Sequence, residues 1–145
     1  MHDFKEKVMG DIFTIQIDVR FRDLDAMGHV NNSVFFTYFE EGRKYFFFNF
    51  SKVSDPFDFA FILAHISCDY LRPVKLDTRL SLQMWVKEIG KKSFELCYQL
   101  VDSSDESIVY AKGESVQVCF DYEQNKSVEV SEELKKSLSK YQIQQ

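Results

Sequence analysis

The sequence predicts an α+β fold in which one antiparallel sheet wraps around a single long helix. Strand-like alternation of apolar and polar residues recurs in five stretches, and one stretch with helical spacing lies between the first and the second. The last four strand stretches are close enough along the chain to be joined by hairpins, which favours antiparallel pairing. The 145 residues contain no repeat, low-complexity tract or linker, so we expect one domain over residues 1–145.

The first strand is predicted over residues 11–21, after a charged lead-in over residues 1–10 that we expect to be flexible. Apolar and polar side chains alternate along this stretch, as they do in a half-buried strand. The apolar positions are Ile15, Ile17, Val19 and Phe21.

The long helix is predicted to begin near residue 34 and to run to about Phe48. Its core-facing positions recur every three or four residues. They are Val34, Phe35, Tyr38, Phe39, Gly42 and Phe46. Asn32 or Ser33 could cap the helix, because their short side chains accept hydrogen bonds from free backbone N–H groups. Glycine costs about 1 kcal/mol relative to alanine inside a helix, so we expect Gly42 to allow close approach of the helix to the sheet.

Three further strands are predicted by alternation after the helix. A polar loop over residues 49–58 leads into them. The strands are expected over residues 64–70, 79–87 and 93–100, and the last two are joined by a turn at residues 90–92.

The end of the chain is predicted to form a long strand and a short helix. Alternation slips near Gly113 within the strand over residues 107–121, and a bulge there would return later apolar residues to the core face. Those residues are Val116, Val118 and Phe120. Residues 131–141 are expected to form an amphipathic helix with Ser131 as its cap.

One helix can cover only one face of such a sheet. The other face would carry Trp85, Cys97 and Val101 beside polar groups. It is either solvated, as antiparallel sheets allow, or covered by a second copy of the chain. Sheet edges also invite pairing, so we expect a homodimer or a homotetramer.

Composition and charge argue against several classes of protein. The formal net charge is -5, whereas a general nucleic-acid binder usually carries a basic excess, so no nucleic-acid partner is expected. No apolar run approaches the roughly 18 residues that span a bilayer, and no signal segment is found, which predicts a cytoplasmic protein without a membrane partner. Cys68, Cys97 and Cys119 are odd in number and widely spaced, which favours reduced, buried thiols.

The most distinctive stretch is the loop between the first strand and the long helix. Residues 22–32 read Arg-Asp-Leu-Asp-Ala-Met-Gly-His-Val-Asn-Asn. A helix N-terminus presents unpaired N–H groups that stabilise negative charge. A loop with two acids, a histidine and two asparagines at that point is suited to chemistry on an electron-rich oxygen.

Residues 23–32, followed by Tyr-Phe-Glu-Glu-Gly-Arg at residues 38–43, resemble the signature of hotdog-fold acyl-CoA thioesterases of the 4-hydroxybenzoyl-CoA thioesterase type. In that family a D-x-D-x-x-G-H-V-N-N stretch opens the central helix. Residues 70–74 and 91–94 are similar to two weaker blocks of the family. The resemblance implies the hotdog fold, a five-stranded antiparallel sheet wrapped around one long central helix.

The resemblance also implies hydrolysis of a thioester to a free acid and coenzyme A. Asp25 matches the family's catalytic carboxylate, and it would attack the thioester carbonyl or activate a water molecule. The backbone N–H that polarises the carbonyl would lie near Asn32, in the first turn of the helix. The substrate is an acyl-CoA or an acyl-carrier protein, and both aromatic and aliphatic acyl groups remain open.

The other loop residues have both functional and structural interpretations. Gly28 would let the backbone approach the thioester or take a positive φ, or it is an ordinary turn glycine. His29 would hydrogen-bond the thioester region or hold the loop. Asn31 and Asn32 would fix the loop or contact the substrate, and Asp23 is expected to order the loop.

Coenzyme A carries phosphates that basic residues near a dimer seam would meet. The candidates are Arg72, Lys75, Lys91 and Lys92, with Ser93 as a neighbouring hydrogen-bonding group. Each of these cations has the alternative of being a solvated surface charge. The acyl chain would lie in an apolar slot lined by Phe35 and Phe39.

Two other functions compete with hydrolysis. A hotdog dehydratase needs a histidine and an acid over a Cα–Cβ pair, and the Asp-led loop suits hydrolysis better. A non-catalytic acyl-thioester-binding module would not need an acid at the position of Asp25. The chain has no G-x-S-x-G elbow and no glycine-rich phosphate loop, so neither a serine hydrolase nor a nucleotide cofactor is expected. The spacing of His29, His65 and Asp69 fits no metal site that we can name, so no metal ion is expected.

Overall fold

The computed structural model describes residues 10–50 and 60–143. Its elements are β1 (Phe13–Ile17), a 3-10 turn (Phe21–Asp23), α1 (Val34–Phe48), β2 (Phe61–Tyr70), β3 (Leu80–Ile89), β4 (Ser93–Asp102), β5 (Val109–Asp121), β6 (Lys126–Ser127) and α2 (Glu132–Ser139). The lead-in predicted over residues 1–10 and the loop predicted over residues 49–58 lie largely outside the described residues. Strand β1 ends earlier than predicted, because the chain turns into the 3-10 segment.

The sheet has the strand order β1-β3-β4-β5-β2, and every neighbouring pair is antiparallel. The two-residue β6 extends the far end of β5. Helix α1 packs across one face of this sheet. The arrangement confirms the predicted α+β class and is the hotdog fold that the resemblance implies.

The core lies between α1 and the inward side chains of the two central strands. Eight of these side chains are almost completely buried, and they come from alternate positions of β3 and β4. They are Leu80, Leu82, Met84, Val86, Phe94, Leu96, Tyr98 and Leu100. A Cβ atom on Gly42 would lie 2.7 Å from the sulfur of Met84. The predicted close approach of the helix at Gly42 is therefore confirmed.

Strand β5 corrects one prediction from the sequence. No register shift occurs at Gly113, which pairs with Tyr98 on one side and Cys68 on the other. The alternation continues through this residue, so Ser115 and Gln117 point toward the helix, with 0% and 2% of their surface exposed. The prediction that a bulge returns Val116, Val118 and Phe120 to the core face was wrong.

Gly113 serves close packing instead. A Cβ atom there would lie 2.7 Å from the carbonyl oxygen of Ser67 and 2.9 Å from Cζ of Phe39. Because Gly113 has no side chain, the ring of Phe39 can lie directly on the sheet.

The buried polar residues of β5 form a continuous hydrogen-bonded chain. The guanidinium of Arg43 donates to the Tyr98 hydroxyl at 3.1 Å, and that hydroxyl shares a hydrogen bond of 2.5 Å with Ser115. Ser115 donates to the side-chain oxygen of Gln117, whose amide donates to the Phe94 carbonyl. Because each buried group has a partner, the cost of burying polar atoms is offset.

The outer face and the edges of the sheet also bear on the predictions. Trp85, Cys97 and Val101 lie on the face opposite α1, as predicted. All three cysteines are unpaired thiols, and burial raises the pKa of Cys68 and of Cys97 to about 11. Strand β2 is an edge strand with mostly exposed residues.

The C-terminal helix begins as predicted. The Ser131 hydroxyl accepts a hydrogen bond from the Leu134 amide at 3.1 Å, which caps α2. Neither helix within the described part of the chain is long and apolar enough to cross a membrane.

Candidate functional site

The loop between β1 and α1 is closed by its own backbone hydrogen bonds. The Asp25 amide donates to the His29 carbonyl at 2.7 Å, and the Asn31 amide donates to the Asp23 carbonyl at 2.8 Å. The Val30 amide donates to the Val74 carbonyl at 2.8 Å, which ties the loop to the segment before β3. The polar side chains of the loop are therefore presented from a fixed backbone.

Asp25 is held by the loop that it belongs to. Its Oδ1 atom accepts hydrogen bonds from the Met27 amide at 2.9 Å and the His29 amide at 3.1 Å. Its Oδ2 atom makes no hydrogen bond with any described residue. Oδ1 thus orients the carboxylate within the loop, and Oδ2 takes no part in holding it.

Gly28 takes a φ of +81°, the left-handed conformation that favours glycine. A Cβ atom there would meet nothing within 4 Å. Its amide donates to the Asp25 carbonyl at 3.1 Å. These contacts fit a turn glycine that closes the loop beneath the carboxylate.

Asp23 orders the loop from its other side. Its Oδ2 atom accepts from the Arg20 amide at 2.9 Å and from the Tyr38 hydroxyl at 2.8 Å. Burial, followed by this hydrogen bond, raises the pKa of Tyr38 well above its ordinary value, so the hydroxyl stays protonated.

The start of α1 leaves one backbone N–H group without a partner in the described part of the chain. The neighbouring amides that donate are those of Val30, Asn31, Ser33, Val34 and Phe35. The Asn32 amide makes no such bond. The predicted cap was wrong in detail: the Ser33 side chain makes no capping bond, and the Asn31 side chain accepts from the Ser33 amide at 3.0 Å.

An open cavity of about 250 Å³ lies where this loop, the helix start and the end of β2 meet. It is lined by Asp25, His29, Val30, Asn32, Phe35, Tyr70, Leu71, Arg72 and Pro73. The structure therefore brings together five residues that the sequence analysis named as candidates. No group of three or more His, Cys, Asp or Glu residues within residues 10–50 and 60–143 could hold a metal ion.

Tyr70 is a cavity residue that the sequence analysis did not single out. Its hydroxyl donates to the Asn32 carbonyl at 2.9 Å, and its ring packs edge-to-face on Phe35 with centroids 5.0 Å apart. The signal available was its place at the start of the block at residues 70–74. Its alternation along β2 indicated only a core-facing strand residue.

Six residues predicted to contact the substrate do not line this cavity: Asn31, Phe39, Lys75, Lys91, Lys92 and Ser93. The Asn31 side chain accepts from the Ser33 amide, and the Lys75 amide donates to the Thr78 hydroxyl. Phe39 is completely buried and stacks on Tyr98, with ring centroids 4.4 Å apart. Lys91, Lys92 and Ser93 lie at the turn between β3 and β4, where the Lys92 carbonyl accepts from the Cys119 amide. This turn lies at the opposite end of β2 from Tyr70, because Cys119 pairs with Phe61. The binding roles of these six residues stay predictions.

The chain is similar in sequence to known thioesterases. A sequence model of the Thioesterase-like superfamily matches residues 19–138. The long-chain acyl-CoA thioesterase FadM of Escherichia coli is 30% identical over 129 residues, which are 85% of this chain and 94% of that protein. A 1,4-dihydroxy-2-naphthoyl-CoA hydrolase of Nostoc punctiforme is 28% identical over 126 residues, covering 84% of this chain and 83% of that protein.

A solved structure agrees with these relatives. The crystal structure of a Thermus thermophilus thioesterase complexed with coenzyme A and Zn superimposes with a TM-score of 0.77 at 29% identity. The match covers 86% of this chain and 90% of that one.

Proposed function

Because the chain belongs to the thioesterase-like superfamily and is a thioester hydrolase, we propose that it hydrolyses acyl-CoA thioesters in the cavity between Asp25 and Asn32. The products are a free acid and coenzyme A. The relatives from Escherichia coli and Nostoc, which are named for acyl-CoA substrates, support this substrate class.

The observation that carries the proposal is that two polar groups without a protein partner within residues 10–50 and 60–143 belong to residues that line one cavity. The Oδ2 atom of Asp25 and the N–H group of Asn32 have no partner among the described residues, and both residues line the cavity. A thioester carbonyl that accepts from the Asn32 amide would be polarised toward an oxyanion. The helix start would stabilise the charge as it develops.

The chemical step then has two forms that share this geometry. In one, the Asp25 carboxylate attacks the carbonyl carbon, the C–S bond breaks, and coenzyme A leaves as the thiolate. Water then hydrolyses the mixed anhydride, which restores the Asp25 carboxylate, and the proton released from this water balances the one that the thiolate takes up. In the other, Asp25 removes a proton from water as the water attacks the same carbon, and the proton passes to the departing sulfur. Removing one oxyanion donor from an acyl-transfer enzyme costs about 3 kcal/mol of transition-state stabilisation.

The remaining substrate contacts involve a second copy of the chain in this proposal. Strand β2 is an exposed edge, with Tyr70 at the end beside the cavity and Phe61 at the other end. Antiparallel pairing of two β2 strands would bring the Phe61 end of one copy to the Tyr70 end of the other. The turn with Lys91, Lys92 and Ser93 would then approach the cavity of the neighbouring copy, where Arg72 already lies.

The test is a thiol-release assay over a panel of acyl-CoA substrates with wild type and Asp25→Asn. Asparagine keeps the Oδ1 acceptor for the Met27 and His29 amides, so the loop should stay closed. We expect kcat to fall by roughly 10²- to 10⁴-fold at an unchanged melting temperature, as when a general base is lost.

Asp105→Asn is the matched control, because Asp105 also accepts two hydrogen bonds within its own turn, both from Ser107. It should keep wild-type activity. Equal activity of wild type and Asp25→Asn would place the reacting group elsewhere. Acyl-CoA binding without turnover in either protein would favour a binding module.

A further inference from the structure

We propose that Tyr70 is a positioning residue that holds the Asn32 amide in place as the oxyanion donor, an inference that rests on the proposed function. The Tyr70 hydroxyl donates to the Asn32 carbonyl at 2.9 Å. The hydroxyl comes from the end of β2, whereas the amide belongs to the first turn of α1. The contact therefore connects the sheet to the start of the helix.

Two of the backbone hydrogen bonds in the first turn of α1 are long. The Phe35 amide lies 3.3 Å from the Asn32 carbonyl, and the Phe36 amide lies 3.2 Å from the Ser33 carbonyl. Both distances are at or beyond the long end of the usual range. The Ser33 side chain makes no capping bond. The Asn32 carbonyl therefore accepts two hydrogen bonds, and the one from the Tyr70 hydroxyl is the shorter.

Two successive peptide groups meet at Asn32, and each needs a partner to fix its orientation. The Asn31 carbonyl belongs to the peptide that carries the Asn32 N–H, and it accepts from the Val34 amide at 2.9 Å. The next peptide, between Asn32 and Ser33, carries the carbonyl that Tyr70 holds. Because both peptides share one α-carbon, freedom in the second peptide loosens the direction of the N–H group in the first.

Tyr70 is itself firmly placed. Its ring lies against Phe35 at 5.0 Å, and the next two amides, of Leu71 and Arg72, both donate to the Tyr110 carbonyl. Partial burial raises the pKa of Tyr70, so the hydroxyl remains a donor at neutral pH. A rigid support of this kind matters because oxyanion stabilisation falls steeply when the donor moves from its productive position.

The kinetic test compares wild type with Tyr70→Phe, which removes the hydroxyl and keeps the ring. We expect kcat to fall roughly 5- to 20-fold, less than the 10²- to 10³-fold loss of a whole oxyanion donor, with KM and melting temperature unchanged. Tyr110→Phe is the control, because the Tyr110 hydroxyl bonds Asp102 at 3.3 Å, outside the cavity. An unchanged kcat for Tyr70→Phe, or a raised KM with kcat intact, would overturn the positioning role.

Amide hydrogen exchange of the substrate-free protein separates this inference from the proposed function. The amides of Val34, Phe35 and Phe36 should exchange faster in Tyr70→Phe than in wild type, and the Phe46 amide should not change. Unchanged exchange in the first turn would overturn the inference that the Tyr70 hydroxyl holds this turn in place. A wild-type protein that is inactive on every thioester would overturn the hydrolase proposal and, with it, the contribution of Tyr70 to the reaction. The exchange result would still decide whether the Tyr70 hydroxyl holds the first turn of α1.

Discussion

The Tyr38 hydroxyl donates to Oδ2 of Asp23 at 2.8 Å, and the Arg20 amide donates to the same oxygen at 2.9 Å. One carboxylate oxygen therefore connects the exit of β1, the loop that carries Asp25 and a buried residue of α1. This junction ties the loop to α1.

Tyr38→Phe should destabilise the protein by about 1–3 kcal/mol, because a partly buried carboxylate loses a donor. Urea unfolding followed by far-UV circular dichroism measures the loss. Tyr45→Phe is the control, since Tyr45 is 43% exposed and lies beside the Lys44 ammonium. Equal stability of Tyr38→Phe and wild type would show that the contact with Asp23 contributes nothing to folding.

Gly113→Ala should cost more stability than Gly42→Ala, although each adds one methyl group. At Gly113 the new carbon meets the fixed carbonyl oxygen of Ser67, whereas at Gly42 it meets only the ends of the Leu82 and Met84 side chains. Overpacking costs about 1–3 kcal/mol, and alanine returns about 1 kcal/mol within the helix. Chemical denaturation of both variants gives the comparison, and the reverse order would contradict the packing described for β5.

The Tyr98 and Ser115 hydroxyls should be energetically coupled. Tyr98→Phe and Ser115→Ala each leave a buried group without its partner, so the double variant should lose less than the sum of the single losses. A double-mutant cycle should give a coupling of about 0.5–3 kcal/mol. Strict additivity would mean that the hydrogen bonds linking the side chains of Arg43, Tyr98, Ser115 and Gln117 are not cooperative.

Stability should fall at alkaline pH. Burial raises the pKa of the Cys68 and Cys97 thiols from 9.0 to about 11 and raises that of Tyr98 as well. The folded protein thus keeps protons that the unfolded chain releases, so the contribution is complete below about pH 9 and is lost as the pH rises toward 11.

Urea titrations between about pH 7 and pH 11 with a reducing agent measure this loss. The double variant Cys68→Ala/Cys97→Ala should show a shallower decline than wild type. An equally steep decline in the double variant would assign the effect to other groups.

The strands and the central helix could be predicted because their side-chain periodicities are strong. Alternation located β3 and β4, and the spacing of aromatic residues located α1 to its last residue, Phe48. Gly42 was interpreted correctly because a glycine inside a long helix has few other uses.

Strand β5 shows where periodicity misleads. Ser115 and Gln117 are polar, so the pattern indicated that apolar Val116 and Val118 face the core. Their actual placement depends on partners distant in the chain. The Tyr98 hydroxyl hydrogen-bonds Ser115 and accepts from Arg43, and the Phe94 carbonyl accepts from the Gln117 amide. A local pattern contains no information about such partners.

The candidate site also contains residues that the sequence could predict and one residue that it could not. Asp25, His29 and Asn32 lie within one short segment, so the sequence could predict that they share a location. Tyr70 reaches that location only because β2 ends beside the helix start, and its hydroxyl bonds a backbone carbonyl 38 residues away. Contacts to backbone atoms leave no complementary residue type in the sequence.

The two amides that occupy Oδ1 of Asp25 also limit how this acid can change during evolution. A glutamate would place its carboxylate one methylene farther out, where it would lose either the contacts that close the loop or the remaining oxygen's place in the cavity. The length of the acid is set by the ring of hydrogen bonds in which it sits.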